Sequence, residues 1–175
     1  MKKVAVLFTV LMLSTSAHAF IKLQFPGFFA GNSVGVKGSL EQDFNPGGSL
    51  YADVAFLFFT AGVEAGYNSF EKYKATAHYS YIEPYIGLQM PVDNWSVYAR
   101  FGQPIILRNT NDFKYTDKTA LALEAGWRSL WLEDRLLLGA GFKWHWLNEV
   151  EYQGEKFGKT VGMFFINVGY YWGWQ

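Results

Sequence analysis

Phe164-Phe165-Ile166-Asn167-Val168-Gly169-Tyr170-Tyr171-Trp172-Gly173-Trp174 is written with a period of two. Phe164, Ile166, Val168, Tyr170, Trp172 and Trp174 share one parity, and Asn167, Gly169, Tyr171 and Gly173 lie between them. Successive side chains of a strand point to opposite faces, so this segment has one wholly apolar wall. Its other face is small or polar. Segments of the same kind recur from about Gly31 onward, with charges on the second face and large aromatics at the ends of the first. A soluble sandwich hides its apolar face and shows water its polar one. Here the apolar face is the one that reads as outermost, the pattern of a membrane barrel.

Eight strands follow from this alternation, an all-β, antiparallel, up-and-down transmembrane β-barrel. Strand one, 31–42, points Val34, Val36 and Leu40 outward, with Lys37, Ser39 and Glu41 inward. Strand two, 48–58, turns Leu50, Ala52, Val54, Phe56 and Phe58 out, and Tyr51 and Asp53 in. In strand three, 61–69, Val63, Ala65 and Tyr67 face out and Glu64 in. Strand four, 80–90, has Ile82, Ile86, Leu88 and Met90 out, and Tyr81, Glu83, Tyr85 and Gln89 in. Strand five, 95–107, places Trp95, Val97, Ala99 and Phe101 out, and Ser96, Tyr98 and Arg100 in. Its upper end, Gln103-Pro104-Ile105, breaks the alternation, and a bulge is expected there because proline cannot donate to a ladder. Strand six, 118–128, sets Leu121, Leu123, Ala125 and Trp127 out, and Glu124 and Arg128 in. Strand seven, 136–147, alternates Leu136 to Trp146 outward with Lys143 and His145 inward.

The connections alternate in length. Phe59-Thr60, Pro91–Asn94 and Ser129–Arg135 are short; 70–79, 108–117 and 148–159 are longer; Asp43–Gly47 is intermediate. Short periplasmic turns and longer outward loops give this alternation. The tryptophans make an independent argument. Trp95, Trp127, Trp131, Trp172 and Trp174 fall at one rim, and Trp144 and Trp146 at the other, with none mid-strand on the outer face. Aromatic girdles at the two interfaces explain this placement; a soluble core has no reason to avoid strand centres.

The N-terminus reads as a secretory signal peptide over 1–19, leaving a barrel domain of 20–175. Lys2 and Lys3 open it, Val4–Leu13 is an apolar run too short to span a bilayer as a helix, and Ala17-His18-Ala19 supplies a small-x-small cleavage site. Residues 20–30 are out of phase with strand one and read as an interfacial piece or a bulged strand start. With Lys2 and Lys3 removed, the 15 basic residues become 13 against 15 acidic ones. That balance gives no reason to expect nucleic acid. The absence of cysteine leaves no disulfide framework, no thiolate metal site and no lipidation site. A chain that is half hydrophobic and 19% aromatic must bury or solvate that surface, and a closed barrel in lipid does so without an open sheet edge.

At this point the chain resembles the small eight-stranded outer-membrane barrels of Gram-negative envelopes, the class that includes the OmpA transmembrane domain and OmpX. The most specific part is Val168-Gly169-Tyr170-Tyr171-Trp172-Gly173-Trp174, which looks like the terminal signal read by the barrel-assembly machinery, although Gln175 follows the aromatic. The resemblance implies a monomer in the bacterial cell outer membrane, in contact with outer-membrane lipid and lipopolysaccharide.

Three groups of residues could carry chemistry. The inward charges are Lys37, Glu41, Asp53, Glu64, Glu83, Arg100, Glu124, Arg128 and Lys143. Their mixed signs favour a salt-bridged plug over an ion-selective, porin-like channel, because buried charges need partners and a narrow barrel is nearly filled by side chains. Glu83, Arg100 and Glu124 fall at similar heights on sequential strands, so Arg100 is expected between the two carboxylates. A second group would serve a lipid A-modifying enzyme, which needs a hydroxyl nucleophile beside a base. His78 sits in a polar stretch and His145 lies between Trp144 and Trp146 with no serine two positions away, so no catalytic residue is assigned. Third, Glu149, Glu151 and Glu155 near His145 are interleaved with Lys156 and Lys159 and read as a solvated loop. No cofactor or metal is expected. The reading is a structural or surface-interaction component of the envelope; the first alternative is a narrow channel for small polar solutes or amphiphiles, and the second a lipid A-modifying enzyme.

The alternation makes a direct prediction. Val168→Arg, mid-wall, should cost about 2–4 kcal/mol, whereas Trp174→Arg at the rim should cost about 0–1 kcal/mol from charge placement. Reversible unfolding from lipid vesicles measures both, and equally negligible costs would remove the membrane assignment.

Overall fold

The computed structural model describes residues 30–41, 44–92, 95–110, 113–116 and 118–173. The expected signal peptide, the segment 20–29 and Trp174 lie outside them. Ten strands form: β1 Ala30–Glu41, β2 Pro46–Phe56, β3 Phe59–Lys72, β4 Ala75–Val92, β5 Trp95–Gly102, β6 Ile105–Thr110, β7 Phe113–Tyr115, β8 Ala120–Trp131, β9 Leu136–Tyr152 and β10 Glu155–Gly173. They make eight wall strands, because β5 and β6 are two halves of the fifth and β7 extends the sixth above β8. β5 pairs β4 from Tyr85 to Val92, and β6 pairs it from His78 to Ile82. β8 pairs β9 up to Leu147, and β7 continues on Val150–Tyr152.

All pairings are antiparallel, and the ring closes where β1 meets β10 from Gly31↔Gly173 to Glu41↔Met163. Closure leaves the alternation two different environments. Val34, Leu50, Ile86, Phe101, Phe142 and Val168 face outward and are exposed, while Ser33, Tyr51, Tyr85, Arg100, Lys143 and Asn167 beside them are buried in the lumen.

Two of the expected long loops are strands instead. Residues 70–79 form the top of the β3–β4 hairpin, closed at Tyr73-Lys74 with φ of 53° and 60°. Residues 148–159 likewise belong to β9 and β10, closed at Gln153-Gly154 with φ of 51° and 87°. Consecutive positive φ values match the twist of a two-residue hairpin. The lipid-facing pattern stops below these tips, where Glu71, Thr76 and Asn148 replace the apolar residues, but ladder pairing does not depend on a lipid-facing side chain. His78 therefore lies on β4, not in a loop.

Two irregularities re-aim side chains. Leu147 pairs Lys159 and Val150 pairs Phe157, so Asn148 and Glu149 together oppose Gly158. This bulge shifts the parity, and Val150 joins Leu147 on the buried face. At Gln103-Pro104 the strand is interrupted but the facing is not: Gln103 and Ile105 are exposed and Pro104 is buried between them. The expected break lies in the ladder and not in the alternation.

The lumen is narrow enough that inward tyrosines need glycine opposite them. A Cβ built at Gly62 would lie 2.6 Å from the Tyr85 hydroxyl and 2.7 Å from Asp53 Cβ, besides striking the Ala52 carbonyl. Outward-facing Gly38 has nothing within 4 Å. Gly62→Ala should therefore destabilise by about 1–3 kcal/mol through overpacking. Gly38→Ala should stay within about 0.5 kcal/mol of the parent. Urea titration of the vesicle-inserted protein separates the two cases.

Candidate functional site: the lumen charge network

Inward parity on seven of the eight wall strands brings ionisable side chains into one enclosed column. Lys37 on β1, Asp53 on β2, Glu64 on β3, Glu83 on β4, Arg100 on β5, Glu124 and Arg128 on β8 and Lys143 on β9 are each no more than 4% exposed. Four cations face four carboxylates, and their contacts form a continuous chain.

Asp53 is its lower hub, holding Arg100 and, at 3.1 Å, Arg128, while the Ser33 hydroxyl donates to its other oxygen. Arg128 also donates to the Gln89 side-chain carbonyl at 2.6 Å. Arg100 reaches Glu124 at 3.5 Å. Glu124 accepts from Lys37 at 2.7 Å, and Lys37 bridges on to Glu64 at 2.5 Å. Lys143 is the upper hub, 2.8 Å from Glu83, 3.0 Å from Glu64 and 3.8 Å from Glu124. Ring faces cap the cations: Arg100 lies 4.4 Å from the Tyr98 centroid and Lys37 4.9 Å from that of Phe165.

Arg100 does not sit between Glu83 and Glu124 as expected. Its carboxylates are Asp53 and Glu124, and Glu83 belongs to Lys143 and His145. Strand registers give the reason. Arg100 pairs with Gly87, not with Glu83, so Glu83 sits about four residues further up β4. Glu41, also buried, lies at the hairpin end and accepts from Asn45 at 3.3 Å.

His145 is fully buried at the top of the column. Its Nε2 lies 3.0 Å from Glu83 and its Nδ1 2.9 Å from the Tyr79 hydroxyl. These contacts engage both ring nitrogens. Above it, Phe70, Tyr79, Phe113, Tyr115, Val150 and Val161 form an aromatic and aliphatic cluster between the hairpin tips. Sequence reading missed this cluster because it assigned most of these residues to loops. Their signal was inward parity: Phe70 continues Glu64, and Tyr79 continues Glu83. Over the cluster Tyr73 stacks on Tyr152 at 5.8 Å and its hydroxyl donates to Glu155 at 3.3 Å. Glu149 is taken by Lys156 at 2.6 Å, a hydrogen bond that raises the Lys156 pKa, and Glu151 faces Lys114 at 3.9 Å. The three loop carboxylates thus have separate partners, and among the described residues no cluster could hold a metal.

His78 stacks on Tyr67 on the outer face, its Nδ1 2.5 Å from the hydroxyl. Trp95, Trp127, Trp131, Trp146 and Trp172 are exposed on the outer wall, and Trp144 is half-buried on the same face.

Wall and lumen together define a class, the eight-stranded antiparallel transmembrane β-barrel. Solved structures of that fold match. A de novo designed transmembrane β-barrel is 14% identical with a TM-score of 0.54, over 83% of this chain and 98% of its own. The designed barrel TMB2.3 is 17% identical with a TM-score of 0.52, over 81% and 94%. Neisserial surface protein A is 9% identical with a TM-score of 0.50, over 83% and 96%. At these identities the likeness is one of fold. No family model and no curated protein matches the sequence.

Asp53 gives the sharpest test of the network. Asp53→Ala leaves the Arg100 and Arg128 guanidinium groups facing each other in an enclosed lumen, and should cost about 3–5 kcal/mol. Adding Arg128→Met should recover part of that loss, since Arg100 keeps Glu124. A double-mutant cycle by urea unfolding measures the coupling, and strict additivity would mean that Asp53 is not the hub.

Proposed function

We propose that this chain is an outer-membrane protein of the cell envelope whose lumen is closed, serving as a structural or surface-interaction component. The observation that carries the closed lumen is the matched charge column beneath the aromatic cluster. Each of the four column carboxylates, Asp53, Glu64, Glu83 and Glu124, has a cation within ion-pair distance, so the column itself offers no unpaired sign to draw ions through. The cavity beside Lys37, Ser39, Glu64 and Lys143 measures about 10 Å³, near the lower limit for a single water.

Apolar outer residues between two tryptophan rims support the membrane placement. In this reading the β3–β4 and β9–β10 tips form the outward surface, membrane lipid and lipopolysaccharide surround a monomer, and the barrel-assembly machinery inserts it. Catalysis has no part in the proposal, because fully buried His145 already has both ring nitrogens engaged by Tyr79 and Glu83.

Planar-bilayer recording tests the closed state. The parent should show no discrete conductance steps. Lys143→Ala removes the cation shared by Glu64, Glu83 and Glu124 and should produce cation-selective steps. Steady unitary conductance from the parent protein would overturn the closed-lumen reading.

A further inference from the structure

The outer wall is not evenly convex. A recess of about 260 Å³ begins beside Asn32 and Trp172, near the end of the barrel where β1 starts and β10 finishes, with Val54 and Ala61 in its lining. Those two residues are shared with a second recess of about 600 Å³ that continues across β3 and β4 to β5 and β8. Its floor is made shallow in side chain by Ala61, Gly87 and Ala99, while Phe59, Leu88 and Phe101 stand up around it.

The two recesses follow one row of the ladder. Trp172, Asn32, Val54, Ala61, Ile86, Phe101, Leu123 and Trp144 are successive cross-strand partners. Strands in such barrels tilt by about 35–45°, so a row perpendicular to them climbs through the bilayer. This row leaves one tryptophan rim at Trp172 and arrives at the other at Trp144. The groove is therefore diagonal, with a polar amide at its interfacial foot and hydrocarbon along the rest.

We propose that this groove is a binding site for a glycerophospholipid, its ester and headgroup region beside Asn32 and Trp172 and one acyl chain lying along Ala61 toward Leu123. The proposal rests on the membrane reading above. It commits to lipid over a second copy of the chain for a geometric reason. A neighbouring barrel presents a convex wall that would bridge the rims of the groove and leave its floor empty, whereas an acyl chain is slender enough to reach Ala61. The groove is also continuous with the surface that faces the hydrocarbon, so its occupant needs no separate route of entry.

The full mature chain, inserted into phosphatidylethanolamine–phosphatidylglycerol vesicles and extracted into mild detergent, can be examined by native mass spectrometry. Ala61→Phe fills the floor; Ala65→Phe adds the same bulk on the same exposed face of β3 outside the groove. The parent and Ala65→Phe should each keep a single phospholipid adduct, and Ala61→Phe should lose it. No adduct on the parent, or an undiminished adduct on Ala61→Phe, overturns the site. A parent that runs as a dimer and becomes monomeric on Ala61→Phe overturns it in favour of a second copy. Insertion into the vesicles is scored separately by protection from added protease, and its failure in the parent would refute the membrane reading instead.

Discussion

Within hydrocarbon no water is available to take up a backbone N–H or C=O, so a sheet that crosses it must close on itself. In this chain that constraint falls on the seam between β1 and β10, which runs from Gly31↔Gly173 to Glu41↔Met163. Closure satisfies both edges at once and divides every strand into a face turned to lipid and a face turned to an enclosed column. The outward residues then need only be apolar. Those facing inward must fill a fixed, narrow volume and answer for every polar atom they bring into it.

The lumen meets that demand by dividing its length. The lower and middle parts are polar: Gln89, Arg128, Asp53, Arg100, Glu124, Lys37, Glu64, Lys143 and Glu83 follow one another in contact. Above His145 the filling turns aromatic and aliphatic. Buried ion pairs are weak sources of net stability, since desolvation offsets much of their attraction. Their strong effect appears when one partner is removed. A matched column thus makes the closed arrangement specific more than it makes the barrel stable, and it explains why the tyrosines that fill the remaining space lean on glycines such as Gly62.

Above the wall, β3–β4 and β9–β10 rise as paired strands where loops were expected. Their tips meet through Tyr73, Tyr152 and Phe157, which caps the aromatic cluster. The β1–β2 hairpin is shorter, ending at Glu41 and Pro46. The rim is therefore uneven, and the two clasped hairpins are its tallest described part.

Much of this was legible in the residues. Period-two alternation, the wall parity of Val168 and its neighbours and the inward parity of the nine lumen charges follow from strand geometry and from the opposite demands of lipid and lumen, which act on each residue locally. Other features depend on register and could not be read that way. The Asn148–Glu149 bulge moves Val150 onto the buried face, and only the pairing of β9 with β10 reveals it. The Arg100 partner is Asp53 and not Glu83 because stagger between strands, invisible in a single segment, sets which inward residues share a height. Within regular strands, sequence determined which face each side chain takes, since parity is there a property of the strand alone. Tertiary structure decided which side chains meet, because meeting depends on how the strands are staggered around the closed ring.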